Sequence, residues 1–136
     1  MTRIRRVQPA ALVDSRPAGF SQVVRACGEF IFVSGQVALD ASGRLVGRGD
    51  LVAQTHQAMK NVDAALKAAS ASFDDVVKLT IYIVDYKPEC RAQILEVRRQ
   101  YIAGNALPAS TLIGVQALAA PDFLIEIEAI ALVRED

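Results

Sequence analysis

Two carboxylates that could do chemistry stand two residues apart in the run PDFLIEIEAIALV, residues 121–133. Successive side chains of a β-strand point to opposite faces, so Glu126 and Glu128 share one face of the strand that this alternation predicts. The other residues of that face are large and aliphatic: Leu124, Ile130 and Leu132. We therefore expect this face to be covered by another chain or to line a pocket. A carboxylate held there can act as a general base towards water or a substrate.

Few other side chains in the sequence are candidates for chemistry. Cys27 and Cys90 are the two cysteines, far apart and without metal-ligand spacing, which indicates free thiols in a reducing compartment. The single histidine, His56, cannot form a zinc site without such partners. Its place beside the apolar stripe of a predicted helix favours a solvent-edge or interface position over a catalytic base. We expect neither a metal nor an organic cofactor.

Length and composition restrict the class of protein. A chain of 136 residues with 52% hydrophobic residues is long enough for one core, and we expect a single domain over residues 1–136. Fifteen basic and fifteen acidic residues give no net charge, so no long-range field favours nucleic acid or a membrane surface. The sequence contains no apolar run of about 18 residues. These features predict a cytoplasmic protein.

Hydrophobic periodicity predicts an α+β protein. The predicted elements are strands at 21–27 and 30–39, a helix from Asp50 to about Ser70, a strand at 76–84, a helix from Pro88 to Gly104, and strands at 111–116 and up to Val133. Residues 1–20 are expected to be irregular, and Gly28-Glu29 is expected to form a hairpin turn. The order is β-β-α-β-α-β-β, with both helices packed on one face of a mixed sheet.

The opposite face of that sheet has nothing within one chain to cover it. Its predicted members are Phe30, Phe32, Ser34, Gln36, Thr80, Tyr82, Glu126 and Glu128. The same alternation assigns Val33, Gly35 and Val77 to the helix side. Arg91, Arg98 and Arg99 are expected on the solvated side of the second helix. A bare sheet face with this much apolar surface indicates an oligomer.

Several motifs together resemble one family. They are Gly19-Phe20-Ser21-Gln22, Phe32-Val33-Ser34-Gly35-Gln36, Gln54-Thr55 with Asn61, Asp74-Asp75-Val76-Val77-Lys78, Pro108-Ala109 and Ile125-Glu126-Ile127-Glu128-Ala129-Ile130-Ala131. From about Ala18 to Val133 the chain is similar to the RidA (YjgF-type) family of enamine and imine deaminases. The resemblance implies a chorismate-mutase-like α+β fold and a homotrimer with small-molecule sites in the clefts between subunits.

The resemblance also implies roles for individual residues. Glu126 would position the hydrolytic water and is the candidate catalytic residue. Phe20 would close the pocket, where a tyrosine is common in the family. Ser34 and Gly35 would line the cleft, and Leu112 would offer backbone groups to the substrate.

Ser110 occupies the position at which the family carries an arginine that holds the substrate carboxylate. A hydroxyl cannot reproduce the bidentate, charge-assisted pair that a guanidinium forms with a carboxylate. The substrate is therefore expected to be neutral or anchored differently. Ser110 and nearby backbone N–H groups would replace the arginine, helped by Arg16 or Arg25.

Three functions follow from these observations. The first is an imine or enamine hydrolase that releases ammonia from a substrate altered by Ser110. The second is a non-catalytic trimer that binds or senses a small metabolite. The third, an endoribonuclease or translation inhibitor, fits poorly with zero net charge and a single histidine. For Glu128 we expect a structural role at the subunit seam, with Lys78 as a possible partner.

Overall fold

A computed structural model describes residues 4–133. Its elements are β1 Ile4–Val7, β2 Val23–Ala26, β3 Glu29–Gln36, α1 Leu51–Ala68, β4 Val76–Val84, α2 Pro88–Arg99, β5 Ala109–Val115 and β6 Ile125–Val133, with short 3-10 turns at Arg16–Ala18 and Phe73–Asp75. Both helices and the five strands expected from the sequence are present. One further strand, β1, precedes them.

The strand that carries the two carboxylates lies in the middle of the main sheet. That sheet has four strands in the order β3-β6-β4-β5. β6 is antiparallel to both of its neighbours, whereas β4 and β5 are parallel. The sheet is therefore mixed, as predicted, and β6 is an interior strand with a hydrogen-bonded neighbour on each side.

Both helices cover one face of the sheet, which confirms the predicted α+β architecture. The buried side chains that meet there are Met59, Val62 and Leu66 of α1, Ile94 and Val97 of α2, Leu79, Ile81 and Ile83 of β4, and Ile125 and Ile127 of β6. These strand residues are the alternate, aliphatic members of their strands, so burial follows the period of two. Among residues 4–133, no helix is long and apolar enough to cross a membrane.

The first turn of α1 is fixed to the start of β6 by a buried polar side chain. Asp50 caps the helix by accepting a hydrogen bond from the Ala53 amide at 3.0 Å. Gln54 is fully buried and donates to the carbonyls of Gly47 and Asp122, at 3.1 and 3.0 Å. Its own amide oxygen accepts from the Leu124 amide at 2.9 Å. Periodicity alone did not identify this residue, because a buried glutamine has no hydrophobic signal.

Replacing Gln54 by leucine is expected to lower the free energy of unfolding by about 2–4 kcal/mol, because the Asp122 carbonyl and the Leu124 amide lose their partner inside the protein, while the Gly47 carbonyl keeps only the Asp50 amide. Urea unfolding at a fixed protein concentration measures this change. Gln93→Leu, the same substitution at an exposed position of α2, is the matched control and should change stability by about 0.5 kcal/mol or less. Equal effects at the two positions would contradict the structural role of Gln54.

The N-terminal part differs from the prediction in two ways. Residues 1–20 were expected to be irregular, but Ile4–Val7 pairs antiparallel with β2 in a separate two-stranded sheet; residues 1–3 lie outside the described part. β2 and β3 belong to different sheets, so Gly28-Glu29 is not a hairpin turn. Strands of four residues contain too few alternating side chains to predict which strand they pair with.

Two bulges reverse the predicted side-chain alternation. Val33 pairs with Ala129 and Gln36 with Ile127, so β3 contains one residue more than β6 between these pairs. Directly paired residues share a face, and Gln36 therefore lies on the helix side and Gly35 on the open side, opposite to the prediction.

The second bulge lies at the start of β4, between Val76 and Lys78. It places Val76 in the core with 0% exposure, where Val77 was expected. An inserted residue has no sequence signature in an otherwise regular strand, so alternation could predict neither bulge.

Candidate functional site

The sheet face opposite the helices is exposed and partly aromatic. Phe30 and Phe32 are 61% and 73% exposed, and their rings stack with centroids 5.8 Å apart. Phe32 stands beside Ile130 of β6. The sequence prediction of an uncovered, apolar face is therefore correct for the single chain. We call this surface the open face.

Glu126 is the second residue of β6, opposite Tyr82 of β4 on the open face, and is half-buried. The β3 bulge brings the backbone of Gly35 against its carboxylate, so closely that a β-carbon at residue 35 would overlap the Glu126 oxygens. Within residues 4–133, the Glu126 carboxylate forms no hydrogen bond. Its lone pairs are therefore available to water or to a ligand.

Glu128 has a different environment from Glu126. The Tyr82 hydroxyl donates a hydrogen bond of 2.5 Å to Glu128 Oε1, and this bond raises the pKa of Tyr82. Lys78, the partner proposed from the sequence, instead donates to Thr111 Oγ1 at 2.7 Å. Within one chain the partner of Glu128 is therefore Tyr82. A carboxylate that accepts a hydrogen bond from its own chain is typical of a structural role.

A cavity of about 270 Å³ lies on the other side of the sheet, between α2 and the edge strand β5. Its walls come from α2 (Arg91, Ile94, Leu95, Arg98), from β5 (Ser110, Leu112) and from the N-terminal segment (Ala18, Phe20), with Tyr86 beside them. Ser110 pairs with Leu79 and Leu112 with Ile81, whose side chains are buried under the helices. The register thus directs Ser110 and Leu112 to the helix side. We call this space the α2 cavity.

The N-terminal segment reaches α2 through Gly19. This residue ends the 3-10 turn with φ of +83°, a left-handed conformation that favours glycine. A β-carbon there would also overlap the Leu95 side chain. The Gly19 carbonyl accepts a hydrogen bond from Arg98 Nη2 at 3.1 Å. These contacts hold Phe20 at the wall of the α2 cavity.

Arg98 corrects a prediction, since it was expected on the solvated side of α2. It is only 6% exposed, whereas Arg91 and Arg99 are exposed. Its Nε atom is buried and has no hydrogen-bond partner in the described part of the chain. Burial lowers the pKa of Arg98 to about 10. Arg98 stands four residues after Ile94, a buried residue of the inner edge of α2, so the spacing contained a signal for its burial.

The structure divides the predicted site residues into two groups. Three lie on the open face: Ser34, Gly35 and Glu126. Three line the α2 cavity: Phe20, Ser110 and Leu112. A single chain therefore does not bring the six residues into one pocket.

The cations suggested as replacements for the family arginine lie elsewhere. Arg16 is exposed and pairs with Asp14 at 2.7 Å. Arg25 is exposed on β2 and pairs in register with Arg5. Neither lines the α2 cavity. His56 contacts the Tyr101 hydroxyl at 3.3 Å, and no cluster of potential metal ligands occurs among residues 4–133.

Comparisons of the sequence and of the structure with known proteins find relatives that agree with one another. The sequence profile described as endoribonuclease L-PSP matches residues 13–133. A RutC family protein of Pyrococcus horikoshii is 39% identical over 117 residues, 85% of this chain and 89% of the relative. The human 2-iminobutanoate/2-iminopropanoate deaminase is 36% identical over 130 residues, 95% of this chain and 90% of that protein. The crystal structure of YyfB, a Rid protein of unknown function from Yersinia pestis, is 41% identical with a TM-score of 0.90, covering 97% of this chain and all of that one.

Proposed function

Because the chain belongs to the RidA (YjgF-type) family, whose sequence profile is that of endoribonuclease L-PSP, we propose that it hydrolyses small reactive imines and enamines. The proposed sites lie between the subunits of a homotrimer. Relatives that act as 2-iminobutanoate/2-iminopropanoate deaminases support the reaction class. The proposed substrate is a small 2-imino acid or its enamine tautomer.

The observation that carries this proposal is the division of the site residues between two surfaces. Glu126 lies on the open face, and the walls of the α2 cavity carry Phe20 and Ser110. Packing the open face of one subunit against the β5 edge of its neighbour would unite both groups. The same packing would cover Phe30 and Phe32, which are exposed in the single chain. One assembly thus accounts for both the divided site and the apolar face.

The chemistry requires one well-placed base. Water adds to the electrophilic carbon of the C=N bond while Glu126 accepts a proton from that water. The proton then passes to the nitrogen, which gives an amino alcohol. As its carbon–nitrogen bond breaks, the hydroxyl proton of this intermediate also passes to the nitrogen, so ammonia leaves and a carbonyl product remains. One water is consumed for each ammonia released. Glu126 suits this role because its carboxylate is half-buried and accepts no hydrogen bond within residues 4–133.

A second candidate function is the binding of a small metabolite without turnover. Ser110, where the family has an arginine, is the observation that favours it. A third, RNA cleavage, has less support, because the chain has no net charge and one histidine.

Ammonia release separates the first two functions. An amino-acid oxidase generates 2-iminobutanoate in the presence or absence of the protein, and the rate of ammonia formation above spontaneous hydrolysis is measured. We expect acceleration that is proportional to protein concentration. Binding of the product 2-oxobutanoate with no acceleration would instead favour the non-catalytic function.

A further inference from the structure

We propose that the α2 cavity contains an anion subsite in which Arg98, assisted by Arg91 and the Ser110 hydroxyl, binds the carboxylate of a small ligand. The cation that binds the carboxylate would thus come from α2, whereas the family carries it at the position of Ser110 on β5. This inference deepens the proposed function and rests on it for the identity of the ligand. Binding itself can be measured independently of turnover.

The first support is the state of the Arg98 side chain. A guanidinium has five N–H donors, and burial without partners is costly. Arg98 is only 6% exposed, and its side chain donates one hydrogen bond, to the Gly19 carbonyl. Its Nε atom has no hydrogen-bond partner among residues 4–133. No carboxylate forms an ion pair with it among residues 4–133. Such a charge lacks a counterion, and a bound anion would provide one.

The second support is the position of Arg98 relative to the strand. The α2 cavity brings Arg98, Arg91 and Ser110 around one space of about 270 Å³. Ser110 is the residue at which the family arginine is replaced. A smaller side chain on the strand leaves room for a guanidinium that enters from the helix. Arg91 is exposed and adds positive charge at the same wall.

The remaining walls restrict the class of ligand. Ile94, Leu95, Leu112 and Phe20 are apolar and lie around the same space. Burial of Arg98 removes water from the charge, so a carboxylate there forms a stronger pair than at an exposed site. We infer a monocarboxylate with a short aliphatic chain, such as a 2-imino acid and its 2-oxo acid product.

A purely structural role would use Arg98 only to hold the Gly19 carbonyl. Arg99 offers a matched comparison, because its Nη2 donates to the Pro17 carbonyl at 3.2 Å from the same helix, yet it does not line the α2 cavity. Substitution of either arginine removes one charge and one contact to the N-terminal segment. Only the loss of Arg98 should affect an anion in the cavity.

Calorimetric titration with 2-oxobutanoate and with its neutral analogue 2-oxobutanamide tests the inference. Arg98→Met should weaken 2-oxobutanoate binding about tenfold or more while changing binding of the amide much less. Arg99→Met should leave both within about twofold. The double variant Arg98→Met/Ser110→Arg, which moves the cation from the helix to the strand, should recover carboxylate binding. Equal 2-oxobutanoate affinity in wild type and a folded Arg98→Met would overturn the inference.

A second variant covers the case in which Arg98→Met does not fold. Ser110→Asp places a carboxylate in the cavity as an internal counterion, so it should abolish 2-oxobutanoate binding and raise the unfolding temperature of the ligand-free protein. Ser110→Asn is the neutral control. Unchanged binding in Ser110→Asp would also overturn the inference.

The two proposals fail separately in these experiments. Arg98-dependent binding without ammonia release would leave the anion subsite in place and reject the hydrolase. Ammonia release whose KM for 2-iminobutanoate is unaffected by Arg98→Met would leave the hydrolase and reject the subsite.

Discussion

Glu126→Gln is expected to slow ammonia release from 2-iminobutanoate by about 10²- to 10⁴-fold, the usual contribution of a general base. Glutamine keeps the size of the side chain and its contact with Gly35, but it cannot accept a proton from water. The half-buried position on the central strand β6 should tolerate this change without unfolding. Rates are compared at equal protein concentration, after circular dichroism has shown that the variant is folded.

Glu128→Gln is the matched control for this prediction. Both residues lie on the same strand and the same face, but Glu128 accepts a hydrogen bond from Tyr82. An amide oxygen can still accept that bond, so we expect less than about a tenfold loss of rate. Equal losses in the two variants would contradict the division of roles, and a wild-type rate in Glu126→Gln would exclude Glu126 as the base.

The fold could be predicted where hydrophobic alternation is regular. Ile125, Ile127 and Ala129 alternate with Glu126 and Glu128, and the structure buries the first set. The stripe of α1 was equally clear, because Met59, Val62 and Leu66 recur at helical spacing. Regular periodicity is a sum over many residues, so single exceptions do not obscure it.

Features that depend on one backbone residue could not be predicted. The β3 bulge places Gly35 beside Glu126 and moves Gln36 to the helix side, although the sequence reads as an unbroken strand. Likewise, β1 is too short to show which strand it pairs with. Such features are determined by tertiary contacts, and local composition does not encode them.

Arg98 illustrates a different limit of prediction from the sequence. Charged residues are rarely buried, so the arginines of α2 were assigned to solvent as a group. Their helical spacing separates them, because Arg98 stands four residues after the buried Ile94 while Arg99 stands five residues after it and turns away. Arg98 thus lies around the same cavity as Ser110, the position at which the family carries an arginine, although the two residues belong to different elements.

Hybrid trimers should test the shared site most directly. Glu126→Gln removes the proposed base from the open face, and Ser110→Phe fills the α2 cavity; each variant alone should be inactive. If one site combines the open face of one subunit with the cavity of its neighbour, random co-assembly of equal amounts leaves about a quarter of the sites intact. Co-expressed variants should therefore recover about a quarter of the wild-type rate of ammonia release.

Co-expression of Glu126→Gln with the double variant Glu126→Gln/Ser110→Phe is the matched control for hybrid assembly. Every chain then lacks the base, so no combination of subunits restores a site and the mixture should stay inactive. Differently tagged chains allow the hybrid species to be purified before the assay. If Glu126 and Ser110 acted within one chain, each chain of the first mixture would carry a defect and no activity would return. Recovery therefore requires that the carboxylate of one subunit serves the cavity of another.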